Sequence, residues 1–302
     1  MIRRPPRSTH CISSAASDVY KRQILATCTP DSIVPSAAAH VQKKLGAVNA
    51  SVYDVNAACA GFLYALEQGY RMIDTAMAYG NEDEVGQAIR ESGIPREEIF
   101  VVTKLRRPHS NSYEETIERC QQSLENLGLD YMDLYLVHAP PEDPDARAPV
   151  WQGMEKCLDN GWTRSIGVSN YGAHHLDAMR SYAGLMPSVN QVEISPWLQR
   201  NALRAAIKEV GAVPMAYSPL ARGHKVDDPG ICEIAESVGC TPAQAAIKWC
   251  LDVGAITIPK SSNPLRISEN LGSLEVDLSG KEAELAALEE SYVSGWDPTS
   301  EP

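Results

Sequence analysis

Between residues 72 and 258 the chain repeats one pattern: a short apolar run, a polar turn, then a stretch of helical periodicity. The apolar runs fall at residues 72–74, 100–104, 132–138, 164–168, 189–193, 213–217 and 255–258. Helical stretches between them include 82–92, 113–127, 150–160, 173–181, 201–210 and 242–251. Gly128, Gly161 and Gly211 stand where left-handed helix caps belong. Strands separated by helices are joined by crossovers and so run parallel. Seven such units in sequence predict an α/β fold, most simply a (β/α)8 TIM barrel.

The bulk composition allows this. Of 302 residues, 44% are hydrophobic and 22% charged, which supports a sizeable core despite only two phenylalanines. A net charge of −12 argues against an electrostatic nucleic-acid binder. No run approaches the roughly 18 apolar residues of a membrane span. The opening MIRRPPRSTH lacks the apolar core of a secretory signal. Eight cysteines, at 11, 28, 59, 120, 157, 232, 240 and 250, form no CxxC pair. Neither a zinc site nor a disulfide framework is expected, and reduced thiols suit a cytoplasmic protein.

The first 66 residues are unlike the rest. Residues 1–23 carry Arg3, Arg4, Arg7, Lys21 and Arg22 against Asp18, contain Pro5-Pro6 and show no apolar period. They read as disordered. Their string IRRPPRSTHCISSAASDVYKRQ resembles translated sequencing-adapter read-through, an artefact rather than a targeting segment; a natural basic tail is the alternative. Residues 24–66 suggest a helix at 36–45, a short strand at 52–55 and a helix from 59 to 67. Cys59 at a helix start would be poised as a thiolate. ATCTPD, VQKKLGA and DVNAACAGF resemble the active-cysteine region of the ketoacyl-ACP synthase III family, the initiating condensing enzymes. That family's later catalytic His and Asn motifs have no counterpart, so condensing activity is not expected.

The barrel strands end in polar residues, where a barrel carries its chemistry. These are Asp74 with Tyr79 in the next loop, Lys104, His138, Ser169-Asn170, Gln191 with Glu193, Tyr217-Ser218, and Lys260-Ser261. Singly each has a bland reading: an ion pair, a strand-end histidine, a core tyrosine, a solvated loop. Together they converge on one mouth. An isolated tyrosine, with a pKa of about 10, is a poor acid at neutrality. A neighbouring ammonium such as Lys104 favours the phenolate, and Asp74 would hold that ammonium protonated. His138 would orient a carbonyl oxygen or share its proton. Such a set protonates an oxygen that gains negative charge, as a carbonyl receiving hydride does.

Residues 65–302 are similar to the aldo-keto reductase family. The motifs are ALEQGYRMIDTAMAYGNEDEVGQAIRESGIPREEIFVVTKL, LGLDYMDLYLVHAP, RSIGVSNY, VNQVEISPW, MAYSPLA and IPKSSNPLRISEN. The resemblance implies a (β/α)8 barrel that reduces aldehydes or ketones with NADPH. It implies Asp74, Tyr79, Lys104 and His138 as the catalytic tetrad, Tyr79 being the proton donor. By the same resemblance Ser169, Asn170 and Gln191 would bond the nicotinamide carboxamide and Tyr217 would stack on its ring. Ser218 and Leu220 would lie along the pyrophosphate, Lys260 and Ser261 would meet the 2′-phosphate, and Arg266, Glu269 and Asn270 would surround the adenosine end. Two cations at that end favour NADPH over NADH. For Arg106, Arg107 and His109 a solvated loop is expected rather than an anion pocket.

Two departures stand out. The family's first hairpin and first barrel strand are absent, with the condensing-enzyme-like piece in their place. The expectation is that the strand at 52–56 and the following helix take the place of the first βα unit, pairing with residues 72–74 and bringing Cys59 to the mouth. Ala139 follows His138 where many members have Trp, which would open one wall of the substrate pocket. The short tail ending WDPTSEP promises little substrate-loop material. The domain reading is thus a tail at 1–23, a condensing-enzyme-like fragment at 24–66 and a reductase barrel at 67–302. The expected protein is a cytoplasmic, monomeric carbonyl reductase. Its alternatives are an impaired chimera that still binds NADPH, or a cofactor-binding module without turnover.

Overall fold

The computed structural model describes residues 22–27, 51–56, 58–106 and 112–301, with side chains from Phe62 onward. Residues 1–21 of the expected tail at 1–23, the helix at 36–45, the Cys59 side chain, Arg107 and His109 lie outside the described residues.

The chain divides into two units, 1–61 and 62–302. In the first, β1 (Arg22–Thr27) pairs in parallel with β2 (Ser51–Asn56), from Arg22 opposite Ser51 to Thr27 opposite Asn56. This corrects two expectations. Arg22 and Gln23 belong to a strand, and β2 joins β1 rather than residues 72–74. Alternation along a strand says which face is apolar but does not name the partner edge, and RQILAT offered a six-residue match that periodicity did not disclose. α1 (Ala58–Glu67) follows β2.

In the second unit the strands are β3 (Met72–Asp74), β4 (Phe100–Leu105), β5 (Leu134–Val137), β6 (Ile166–Ser169), β7 (Val189–Glu193), β8 (Val213–Tyr217) and β9 (Ile256–Thr257). They form one seven-stranded sheet, all parallel, in sequential order. The helices are α2 (Glu82–Glu91), α3 (Tyr113–Leu127), α4 (Arg147–Asp159), α5 (Ala173–Met179), α6 (Asn201–Glu209), α7 (Pro229–Val238), α8 (Pro242–Asp252), α9 (Pro264–Leu271) and α10 (Glu282–Ala286). Gly128, Gly161 and Gly211 take left-handed backbone as expected. α7 and α9 were not foreseen, although each starts with Pro after an Asx cap, Asp228 and Asn263.

The strands alternate faces, and both faces are covered. Val102, Leu134, Leu136, Val189 and Met215 pack together on one face, with Met72, Ile256 and Ile258 against them. Val101, Leu105, Tyr135, Val137, Ile166, Val168 and Val192 join the larger core shared with the helices. On β6 a Cβ at Gly167 would sit 2.7 Å from the Val189 carbonyl oxygen and 2.8 Å from Leu136 Cδ2, so only glycine lets the inner layer close.

The sheet curls. Strands four places apart in a flat sheet stand about 19 Å apart at the usual ~4.8 Å spacing. Yet Gln191 on β7 hydrogen-bonds Asp74 on β3 at 2.7 Å. Across the interval from β9 back to β3, the Tyr70 hydroxyl donates to the Ile267 carbonyl of α9 at 3.2 Å. The described strands form a curled, open parallel sheet of seven, a half-barrel in place of the closed eight-stranded barrel expected.

Candidate active site

The polar residues singled out in the sequence gather at the C-terminal ends of the strands. Asp74 closes β3, Lys104 lies one residue from the end of β4, and His138 follows β5 directly. Ser169 ends β6 with Asn170 next, Gln191 is mid-β7, and Tyr217 ends β8. Parallel strands all point this way, so one sequence rule, polar residues at the downstream end, builds one mouth.

Lys104 is fully buried, and its ammonium is ion-paired with Asp74 Oδ1 and donates to the Thr75 carbonyl at 3.0 Å. Burial opposes the charge, but Asp74 and Tyr79 outweigh it and raise the Lys104 pKa above the ordinary value. Tyr79 sits on a short 3-10 turn, Met77–Tyr79. That loop is closed at its base by Thr75 Oγ1, which donates to Asn81 Oδ1 at 2.6 Å. Thr75 was not foreseen, and the only sequence hint was its place between Asp74 and the tyrosine loop. Lys104 Nζ stands 5.1 Å from the Tyr79 ring centroid, and the Tyr79 and His138 rings meet edge-on with centroids 5.5 Å apart. Tyr79 is 53% exposed, while its hydroxyl makes a side-chain hydrogen bond with the buried Lys104. Burial, then the charge on Lys104, lowers the His138 pKa to about 4. The imidazole is therefore neutral at physiological pH.

The second group is knitted together. Ser169 Oγ donates to the Gln191 carbonyl at 2.8 Å and accepts from Asn170 Nδ2 at 3.1 Å. Asn170, left-handed at φ 62°, also donates from Nδ2 to the His138 carbonyl at 3.0 Å. Its Oδ1 accepts from the Tyr217 hydroxyl at 2.9 Å. Gln191 Nε2 donates to Asp74 Oδ2 at 2.7 Å. Burial first, then the Glu193 charge, pushes the Tyr217 pKa upward, so its phenol stays protonated. Ala139 is 1% exposed, so the loss of an aromatic there is covered by protein and does not itself open a pocket wall.

The outer residues form a distinct patch. Ser218 is left-handed at φ 49° and begins a tight loop in which Leu220 accepts from Gly223 N at 2.7 Å. Lys260 and Arg266 are exposed and make no ion pair among the described residues, and Ser261 lies between exposed and buried. They flank the start of α9, whose first amides are capped by Asn263 Oδ1, at 2.9 Å from Leu265 N. The Glu269 carbonyl accepts from Gln244 Nε2 at 3.0 Å, while Asn270 is buried. Two exposed, unpaired cations suit a phosphate.

Comparison with known proteins agrees with this geometry. A model of the Aldo/keto reductase family matches residues 45–291, beginning some way before the expected boundary near 67. An aldo-keto reductase of Mycolicibacterium vanbaalenii is 45% identical over 227 residues, which is 75% of this chain and 80% of that protein. The crystal structure of an aldo-keto reductase from a Medee basin deep-sea metagenome library aligns with a TM-score of 0.74 at 39% identity. It covers 77% of this chain and 86% of that one. The Bombyx mori aldo-keto reductase in complex with NADP aligns with a TM-score of 0.74 at 34% identity, over 80% of this chain and 85% of its own. A curled parallel sheet of seven strands with a buried Lys–Asp pair at its mouth, and a family match over most of its length, make this chain a member of the aldo/keto reductase family.

Proposed function

We propose that this chain reduces an aldehyde or ketone to the alcohol with NADPH, Tyr79 supplying the proton. The observation that carries the reading is the buried Lys104–Asp74 pair, with Lys104 hydrogen-bonded to Tyr79 and its Nζ 5.1 Å from the ring of that half-exposed tyrosine. Bound NADPH supplies the hydride. Tyr79 gives its proton to the carbonyl oxygen as negative charge gathers there, and the adjacent ammonium stabilises the phenolate left behind. Asp74 keeps Lys104 charged in its dry setting, and Gln191 and Thr75 fix the pair. Neutral His138 orients the carbonyl by a hydrogen bond. Ser169, Asn170, Gln191 and Tyr217 form the nicotinamide wall. Ser218 and Leu220 follow the pyrophosphate, and Lys260, Ser261, Arg266, Glu269 and Asn270 take the 2′-phosphate and adenosine.

NADPH fluorescence titration followed by turnover of a simple aromatic aldehyde tests this. Binding with turnover supports it, and binding without turnover would make the chain a cofactor-binding module. The finer readings rest on the sequence. These are a condensing-enzyme-like piece at 24–66 behind a read-through tail, and a cytoplasmic monomer acting on a small carbonyl compound. Sequencing the gene across codons 60–72 tests the join. Among the described residues no helix is long and apolar enough to cross a membrane, no acidic, His or Cys cluster suits a metal, and Cys120, Cys157, Cys232, Cys240 and Cys250 are free.

A further inference from the structure

Residues 294–299 cross three successive loops at the mouth. Ser294 N donates to Glu193 Oε1 at 3.0 Å at the end of β7. At Gly295 a Cβ would lie 2.5 Å from Arg222 Nη2, so the backbone there rests against the guanidinium of the loop after β8. The Thr299 carbonyl lies so near Gly172 that a Cβ there would be 2.0 Å from it, in the loop after β6. The tail thus touches the loops that follow β6, β7 and β8.

One side chain holds this strap. Arg200 Nη2 pairs with Asp297 Oδ2 at 2.9 Å, Nη1 donates to Thr299 Oγ1 at 3.0 Å, and Nε donates to the Glu193 carbonyl at 3.0 Å. Thr299 in turn donates to Asp297 Oδ1 from both N and Oγ1, at 3.2 and 2.7 Å. Burial works against the Asp297 carboxylate, but Thr299 and Arg200 hold its pKa below the usual range. Arg200 reaches these partners from left-handed backbone at φ 50°, a conformation a side chain with a Cβ seldom adopts. A guanidinium with three directed contacts, set on disfavoured backbone, indicates that its position is determined by what it holds.

Glu193 stands directly opposite Tyr217 in the β7–β8 register, and Tyr217 donates to Asn170. We propose that Arg200 is a positioning residue for the nicotinamide side of the site, acting through residues 294–299 and Glu193 to fix Tyr217 and Asn170. The inference rests on the reductase reading above. It also separates this side from the phosphate end at Lys260 and Arg266, which the strap does not touch among the contacts described.

The test uses Arg200→Gln, with Asp297→Asn and Thr299→Val as milder variants that leave Arg200 in place should the first not fold. Dissociation constants for NADPH and NADH are read from cofactor fluorescence, beside circular dichroism and steady-state kinetics with an aromatic aldehyde. The expected result is weaker binding of both cofactors by the same factor, about tenfold for Arg200→Gln and less for the others. Arg200→Lys restores only part, because an ammonium cannot make the three-way fork. The aldehyde KM should rise more than kcat falls. Folded variants that bind both cofactors within about twofold of the parent would overturn the proposal and leave Arg200 a surface staple. A loss confined to NADPH would also overturn it. A parent chain that binds neither cofactor would overturn the reductase reading itself, a result distinct from both.

Discussion

Gln191 Nε2 donates to Asp74 Oδ2 at 2.7 Å, tying β7 to β3 across the mouth of the curled sheet. Asp74 Oδ1 faces Lys104, so both carboxylate oxygens are held, one by a charge and one by an amide. The amide also lies 3.0 Å from Met215 Sδ. Gln191 therefore orients the carboxylate that pairs with Lys104.

Gln191→Leu keeps the bulk and removes the bond. One Asp74 oxygen then loses its donor in a partly buried site, which costs about 1–3 kcal/mol of folding stability. Urea unfolding measures this, and turnover should fall with it. Unchanged unfolding and unchanged kcat would make the bond a bystander.

Lys104→Met leaves Asp74 charged beside an apolar side chain. Breaking one half of a buried pair costs roughly 3–5 kcal/mol, with Asp74's 13% side-chain exposure placing the loss toward the lower end. Adding Asp74→Asn removes the stranded charge, so the double variant should be more stable than Lys104→Met alone, while both lack turnover. A double-mutant cycle by chemical denaturation checks the sign. Strictly additive losses would contradict a coupled pair.

His138 links stability to pH. Its folded pKa of about 4 lies below the unfolded value of about 6.5, so between these values the unfolded chain binds the extra proton. The stability tied to the neutral ring is complete above about pH 6.5 and is lost as pH falls toward 4, with a ceiling of about 3–4 kcal/mol. His138→Gln should flatten that part of the profile. A ring proton titrating near 6.5 in NMR spectra of the folded protein would contradict the assignment.

Much of this was legible because the fold and the site share one periodicity. Alternation located 189–193 and 213–217 to the residue, and the same strand ends then placed Lys104, His138 and Tyr217 at one mouth. What escaped was what periodicity does not encode. β2's partner edge lies in residues 22–27, remote in sequence. The neutrality of His138 depends on burial and on Lys104, and the Gln191–Asp74 bond on curvature across four strand places. The strap at 294–299 has no period at all; its hold on Arg200 is tertiary. α7 and α9 were legible in principle from their Asx-Pro starts.

Cofactor choice should reside in Lys260 and Arg266. Each charge-assisted contact to a 2′-phosphate contributes about 1.5–3 kcal/mol, so Lys260→Ala should weaken NADPH binding roughly tenfold or more and leave NADH nearly unchanged. Both side chains are exposed, so the difference should shrink with added salt. Equal losses for the two cofactors would assign Lys260 to the fold instead.

The central claim is that Tyr79 donates the proton with Lys104 behind it. Single-turnover oxidation of prebound NADPH by an aromatic aldehyde, followed at the dihydronicotinamide absorbance, tests it most directly in Tyr79→Phe. The ring and its edge-on contact with His138 survive this change, while the acid is lost. The account predicts NADPH affinity within about twofold of the parent and a hydride-transfer rate lower by at least about a hundredfold. A rate within about tenfold of the parent, with cofactor affinity intact, would contradict it.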